Sequence, residues 1–330
     1  MKKIRWGVIG TGWIANMFAN TMRGVEMSEI YAVCNVSQES ADEYKKKFGV
    51  ERAYGNAEEL LSLPEIDAVY IATPHCFHKQ YIAMSLEYGK HVLCVKPITL
   101  NAQQLKEVIN IAKAKKLLLM EAMWTRFKPE FVNAKKQIKD GAIGKVELIQ
   151  AECLFHPEYN PQSRLFNKNL GGGALLDVGI YITSLAFYFM DKDPATIKAV
   201  ADIGPTGVDH MTSILFGYDD GAVASLTTSM VSGADRNIVI RGTKGMITIR
   251  DYWYSDSYEL EIYGQKKQVF SFPISKSDQI EKHDFMIEAF NQCLREGKTD
   301  NDIIPISETL RIVKVMDIVL EQIGVQYPIN

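Results

Sequence analysis

The stretch that most constrains this chain opens it. A short apolar run, Trp6 to Ile9, passes directly into Gly10-Thr11-Gly12-Trp13-Ile14-Ala15 and then into a helical pattern. That is a strand, a tight turn and a helix N-terminus. Gly10 makes the turn, Gly12 lets backbone approach a pyrophosphate, and Ala15 permits close helix–strand packing. Free N–H groups and the positive end of the helix dipole then face the phosphates. Glycines also serve ordinary turns. At the head of alternating strands and helices, however, the pattern reads as a dinucleotide site, with Thr11, Trp13 and Ile14 on its turn.

The segments that follow place further polar residues at strand ends. Ile30–Val36 reads as a second strand, ending where such folds recognise the adenosine ribose. A carboxylate there selects NAD and a nearby arginine accepts NADP; Asn35, followed by Val36 and Ser37, leaves both open and leans to NAD. Asn56 is a natural N-cap for a helix over Ala57–Leu63. Strand Asp67–Ala72 ends in Thr73-Pro74-His75-Cys76-Phe77-His78, with a helix over Cys76–Tyr88. Strand His91–Cys94 ends at Val95-Lys96-Pro97, and a helix over Ala102–Lys115 leads to strand Leu117–Met120. Alternation of this kind implies a parallel sheet with helices on both faces. Ligands bind beyond the carboxyl ends of its strands, where Gly10, Asn35, Thr73, Pro74, His75, His78, Lys96 and Pro97 gather. Lys96 is either a loop lysine or, with Pro97 restricting the backbone before it, an ammonium aimed at the mouth of the sheet. His91 reads as structural.

Bulk properties exclude several classes. The chain has 330 residues, 47% hydrophobic and 23% charged, with a net charge of −3 and both signs scattered. That suits two globular domains and offers no basic surface to nucleic acid or membrane. Nothing reads as a membrane span or secretory signal. The five cysteines are odd in number and widely spaced, without metal-ligand pairing, which points to free thiols in a cytoplasm. The expected division is residues 1–123, a dinucleotide-binding domain, and 124–330, an α+β domain for substrate and oligomerisation. In that second part, Val146–Phe155 alternates as a strand and at least seven more strand candidates run from Ile197 to Phe272. Asp219-Asp220-Gly221 is a hairpin signal. The result is a largely antiparallel sheet with one face under helices. Helices over Glu281–Arg295 and Ile306–Gln322 close the chain.

The chemistry of the second half concentrates in Gly171-Gly172-Gly173-Ala174-Leu175-Leu176-Asp177-Val178-Gly179-Ile180-Tyr181. Helical geometry places Asp177 and Tyr181, four apart, on one face. A carboxylate in so apolar a run needs a partner. The pair is either a backbone-bonded aspartate with a core tyrosine, or a proton donor beside an acid that orients a substrate hydroxyl. A nearby lysine would lower the tyrosine pKa, and Lys96 is the candidate.

These residues resemble the glucose–fructose oxidoreductase, inositol dehydrogenase and MocA-like family of NAD(P)-dependent oxidoreductases, nearly end to end. The resemblance rests on the opening glycines, on Ile71–His75 with His78, on Gly89–Cys94 ahead of Lys96-Pro97, and on Gly171–Tyr181. Glu121–Phe127 and Arg164-Leu165-Phe166 look most like its dimeric dihydrodiol dehydrogenase branch. The resemblance implies hydride transfer at a carbinol carbon of a sugar, cyclic polyol or trans-diol, with Lys96, Asp177 and Tyr181 as the catalytic group. It implies dimers through the open C-terminal sheet. Trp124, Arg126, Phe155, His156 and Arg164 are the expected substrate-side residues. The family's usual glutamate before Lys-Pro is Val95 here, and that glutamate is expected to hold the loop or the nicotinamide ribose. Its loss motivates an alternative reading, a non-catalytic NAD(P)-binding regulator.

Overall fold

The computed structural model describes residues 3–272 and 283–328. The chain divides into two units, Met1–Trp124 with Ser275–Glu308, and Thr125–Ile274 with Thr309–Asn330. This differs from a single boundary near residue 123, because a late segment returns to the first unit. Its helix Asp284–Arg295 buries Met286, Ile287 and Phe290, and the Phe290 ring lies 5.0 Å from that of Trp6. Asn291 reaches the Ser28 hydroxyl at 2.9 Å. Residues 281–282, expected to begin this helix, lie outside the described residues.

In the first unit, strands β1 (Ile4–Ile9), β2 (Ser28–Cys34), β3 (Arg52–Tyr54), β4 (Ala68–Ile71), β5 (His91–Val95) and β6 (Leu119–Ala122) form one sheet. Their order is β3-β2-β1-β4-β5-β6, and every pairing is parallel. β4 is buried along its whole length, as a sheet covered on both faces requires. The strand order turns outward in both directions from β1, so the mouth of the sheet lies at the β1 and β4 ends. β3, a three-residue edge strand, has too short a pattern to be read from sequence. The Asn56 carboxamide accepts from Glu59 N at 2.9 Å, capping the helix Ala57–Leu61. Past β4 the chain makes a 3₁₀ turn over His75–Phe77 before the α-helix His78–Glu87.

In the second unit, β7 (Val146–Leu154), β8 (Thr196–Ile203), β9 (Asp209–Gly217), β10 (Val223–Ser229), β11 (Ile238–Gly242), β12 (Gly245–Ile249), β13 (Ser257–Ile262) and β14 (Gln268–Ser271) form a second sheet. The order is β14-β13-β12-β11-β7-β10-β9-β8. All pairs are antiparallel except β7 with β10. The Asp219-Asp220-Gly221 turn joins β9 to β10. Ile214, Phe216, Ala224 and Leu226 are buried on one face, and the helix Ile180–Met190 packs over β7 and β10. Met211, Leu215 and Val223 share the other face with Val200 by register and are exposed. Gln322 accepts from Ala199 N and donates to Ile197 O, so the outer edge of β8 is partly covered.

Lys168–Met190 is long and apolar enough to cross a membrane by length and composition, contrary to the sequence expectation that no stretch is. Its most apolar window is 94% buried inside the protein. Gly171–Gly173, the turn and the helix together form the spine of the second unit's core.

Candidate active site

In the first unit the site is made mostly of backbone. Gly10 takes φ +102°, and a Cβ there would sit 2.5 Å from Ala72 O; β1 and β4 leave room for no side chain. Gly12 starts the helix Trp13–Met22, and nothing lies within 4 Å of where its Cβ would be. That open space lets a phosphate reach the helix N-terminus. Asn16 braces the turn by donating to Thr11 O (2.9 Å) and Gly12 O (2.8 Å). Trp13 is exposed and Ile14 half-buried. Asn35 donates to Thr11 Oγ1 at 2.7 Å and accepts from Ser37 N at 2.9 Å. Ser37 itself caps the helix Gln38–Phe48. Both residues at the ribose end are thus drawn into shaping the loop. The buried Thr73 hydroxyl has no hydrogen-bond partner among the described residues. An open glycine cradle, a helix N-terminus and an orphaned hydroxyl at the next strand end all fit a dinucleotide.

Two loops of this unit are tied together by one imidazole. Buried His78 has Nδ1 2.8 Å from Pro97 O and Nε2 2.9 Å from Thr73 O. His75 is also buried, its ring 5.6 Å from that of His78. The Lys96–Pro97 peptide is cis. Val95 is buried in β5, and the loop after it is held from the next strand: fully buried Glu121 accepts from Ile98 N at 2.9 Å. A carboxylate therefore anchors the lysine–proline loop despite Val95. His91, read as structural, accepts from Leu118 N at 3.0 Å, and burial lowers its pKa. Trp124 is buried, 4.8 Å from the His283 ring.

In the second unit the site hangs on a distorted helix. Leu175–Gly179 is a π turn running directly into Ile180–Met190, so Asp177 and Tyr181 do not keep simple α-helical spacing. Turns of this kind are rare and concentrate at functional positions. Arg164 Nη1 lies 2.7 Å from Asp177 Oδ1, with the guanidinium side chain 50% exposed and the carboxylate 6%. The Asp177 charge holds Arg164 above its ordinary pKa. Tyr181 is buried against Trp253, centroids 5.4 Å apart, edge to face. Arg236 lies over Trp253 at 5.1 Å and bonds Asp251 at 2.8 Å.

The expected substrate-side residues do not behave alike. Arg126 is fully buried, donates to Ser184 Oγ at 2.7 Å and lies over the Tyr188 ring. It is an anchor for the helix rather than an open substrate contact, a distinction the sequence could not make. Phe155 is half-buried just past β7, with its N–H on Ser229 O at 3.1 Å, and His156 is exposed. Trp253 was missed, since a lone tryptophan in a turn carries no pattern.

Comparison with known proteins gives consistent matches. Residues 4–123 match the model described as oxidoreductase family, NAD-binding Rossmann fold, and residues 131–248 match the GFO/IDH/MocA C-terminal domain. Trans-1,2-dihydrobenzene-1,2-diol dehydrogenase of Mus musculus is 33% identical over 331 residues, covering 98% of both chains. The Homo sapiens protein of that name is 31% identical, again with 98% coverage of both. A 3-ketoreductase from Actinomadura kijaniata, solved with NADP and TDP-benzene, has a TM-score of 0.85 at 25% identity over 98% of both chains. Levoglucosan dehydrogenase, solved with NADH and levoglucosan, has a TM-score of 0.88 at 21% identity over 98% of both, a likeness of fold alone.

Proposed function

The chain belongs to the GFO/IDH/MocA family of oxidoreductases, and from that premise we propose a dehydrogenase acting on a vicinal trans-diol or a sugar hydroxyl. The observation that carries the proposal is the Arg164–Asp177 pair on the π turn that leads into buried Tyr181. A buried carboxylate paired with a half-exposed guanidinium, four residues before a buried phenol, suits the handling of a polar substrate and a proton.

Each residue has an assigned role. Gly10, Thr11, Gly12, Trp13, Ile14, Asn35, Ser37, Thr73, Pro74, His75 and Pro97 would frame the cofactor, with His78 bracing their loops. A bound nicotinamide supplies hydride chemistry that no side chain can. NAD is favoured over NADP because residues 35–38, Asn-Val-Ser-Gln, carry no positive charge. Tyr181 gives or takes the proton at its phenolic oxygen. Asp177, steadied by Arg164, accepts a hydrogen bond from a substrate hydroxyl and orients it. Lys96 contributes positive charge to the reacting oxygen. Trp253 presents an aromatic wall beside Tyr181, of the kind that suits a ring. Exposed Val200, Met211, Leu215 and Val223 suit a homodimer through the open sheet. The free cysteines, four of five buried, suit a cytoplasmic protein.

The regulator reading rests on Val95, and Glu121 holding the loop at Ile98 N counts against it. The test is reduction of NAD or NADP, followed by absorbance, with trans-1,2-dihydrobenzene-1,2-diol, levoglucosan and glucose offered separately. Turnover of one of these supports the proposal. Tight cofactor binding without turnover of any diol or sugar restores the regulator reading.

A further inference from the structure

Outside the proposed catalytic group, the second unit holds a buried carboxylate that bonds the start of the π turn. Asp209, at the start of β9, is fully buried. Its Oδ2 accepts from Leu175 N at 2.7 Å and from the Thr212 hydroxyl at 2.7 Å. Leu175 begins the π turn, and its N–H is one of the donors that a helix start leaves without an intrahelical acceptor. Side chains that satisfy such donors usually come from the residue just before the helix. Here that place is taken by Ala174, whose methyl group cannot cap, and the acceptor comes from a strand 34 residues away.

The glycines make this possible. Gly173 adopts φ +117°, and a Cβ on it would lie 2.4 Å from Asp209 Oδ1 and 2.8 Å from the Tyr327 hydroxyl. Tyr327 in turn donates to Gly172 O at 2.6 Å. Asp209, Tyr327 and the glycine turn thus close around one point directly before Asp177. Oδ1 has no hydrogen-bond partner among the described residues.

We propose that Asp209 is a positioning residue for the reaction: its carboxylate fixes the start of the π turn and so sets where Asp177 and Tyr181 stand. This rests on the catalytic reading of those two residues given above. Burial pushes the Asp209 carboxyl up to about 6 from 3.8, against the pull of its two hydrogen bonds. Four ionisable groups lie on the surrounding elements. Tyr327 is itself pushed up by burial and by Asp209. His210 is turned toward Tyr159 and Phe166. Asp177 is paired with Arg164, and Lys168 lies along Gly207. Protonation would weaken both bonds by removing the charge that strengthens them.

The test compares wild-type, Asp209→Asn, Asp209→Ala and Tyr181→Phe, each with bound NAD. Hydrogen exchange is followed in the peptide spanning 173–181, and turnover with trans-1,2-dihydrobenzene-1,2-diol. Asp209→Ala is expected to speed exchange of that peptide by about tenfold or more and to lower kcat by a similar factor, with cofactor affinity held. Asn offers Leu175 N–H a neutral oxygen, so Asp209→Asn at pH 8 recovers only part of the protection and turnover that Asp209→Ala loses. Its kcat is also expected to lack the fall expected of wild-type as Asp209 takes up a proton near pH 6. Wild-type protection in Asp209→Ala overturns the proposal, and the exchange arm decides this without any substrate. Loosened exchange with undiminished kcat also overturns it, provided Tyr181→Phe is inactive. If Tyr181→Phe turns over like wild-type, it is the catalytic reading that fails, while the exchange result still judges the cap.

Discussion

The candidate sites of the two units are built in opposite ways. The cradle in the first unit is local: Gly10, Gly12, Asn16 and Asn35 lie within one strand–turn–helix and the strand beside it, and the parts bond one another. The π turn of the second unit is held from a distance. Arg164 reaches Asp177 across 13 residues, Asp209 reaches Leu175 across 34, and Tyr327 reaches Gly172 across 155. Phosphates are met by backbone groups that any such turn supplies, so a short motif suffices. Orienting a hydroxyl and moving a proton need side chains fixed to within about half an ångström, and a helix of apolar residues cannot fix them alone. The difference teaches where variation is tolerated. It should damage the first unit through space and strain, the second through lost partners.

Gly10→Ala is the harshest expected break on the local side. The strained φ and the collision with Ala72 O together cost about 3 kcal/mol or more. Thermal denaturation should show a large fall in Tm, and nicotinamide titration a loss of binding.

The distant side answers differently, and Asp209→Asn should even stabilise. The folded carboxyl titrates at about 6 against 3.8 for an ordinary aspartate, so the folded state binds the proton more tightly. The benefit is present below pH 4 and is lost as pH rises to 6. Above that, the ionised group costs roughly 3 kcal/mol net of its hydrogen bonds, part of which a neutral amide's weaker bonds would give back. Urea unfolding should therefore find Asp209→Asn about 1–2 kcal/mol more stable than wild-type at pH 8 and no more stable at pH 4. Equal stability at both pH values would remove the buried charge from the account.

Arg164→Met takes the cation from Asp177. Because Arg164 is half exposed, the cost is discounted to about 1 kcal/mol. Turnover should fall about tenfold or more while cofactor affinity holds. Glu121→Gln sharpens the comparison from the first unit: a charge-assisted bond to Ile98 N becomes a neutral one, costing about 0.5–1 kcal/mol. Here cofactor affinity should weaken a fewfold, read by fluorescence titration.

Local construction is also what a sequence displays. The glycine turn, the Asn56 cap, the parallel sheet and the Asp219-Asp220-Gly221 hairpin were all readable, because each is decided by residues near one another. Asp177 and Tyr181 stood out for a physical reason, a carboxylate and a phenol in an apolar run. What holds them did not. The π turn is bonded from Asp209 and Tyr327, far away in sequence, and periodicity predicts an ordinary helix there. Arg126 and Arg164 look alike as exposed cations in sequence, yet one is buried on Ser184 and the other pairs with Asp177. Glu121 follows the strand expected over Leu117–Met120, and only the fold brings it to the lysine–proline loop. The return of Asp284–Arg295 to the first unit depends on Phe290 meeting Trp6, a contact between the two ends of the chain.

The central claim is that the first unit holds the nicotinamide and the second moves the proton. Tyr181→Phe tests it most directly, assayed for turnover and titrated with NADH and NADPH by tryptophan fluorescence. The account predicts a kcat lowered by about a thousandfold, with the dissociation constant of the preferred nicotinamide within about twofold of wild-type. Turnover retained at the wild-type rate would contradict it, as would cofactor binding lost together with turnover.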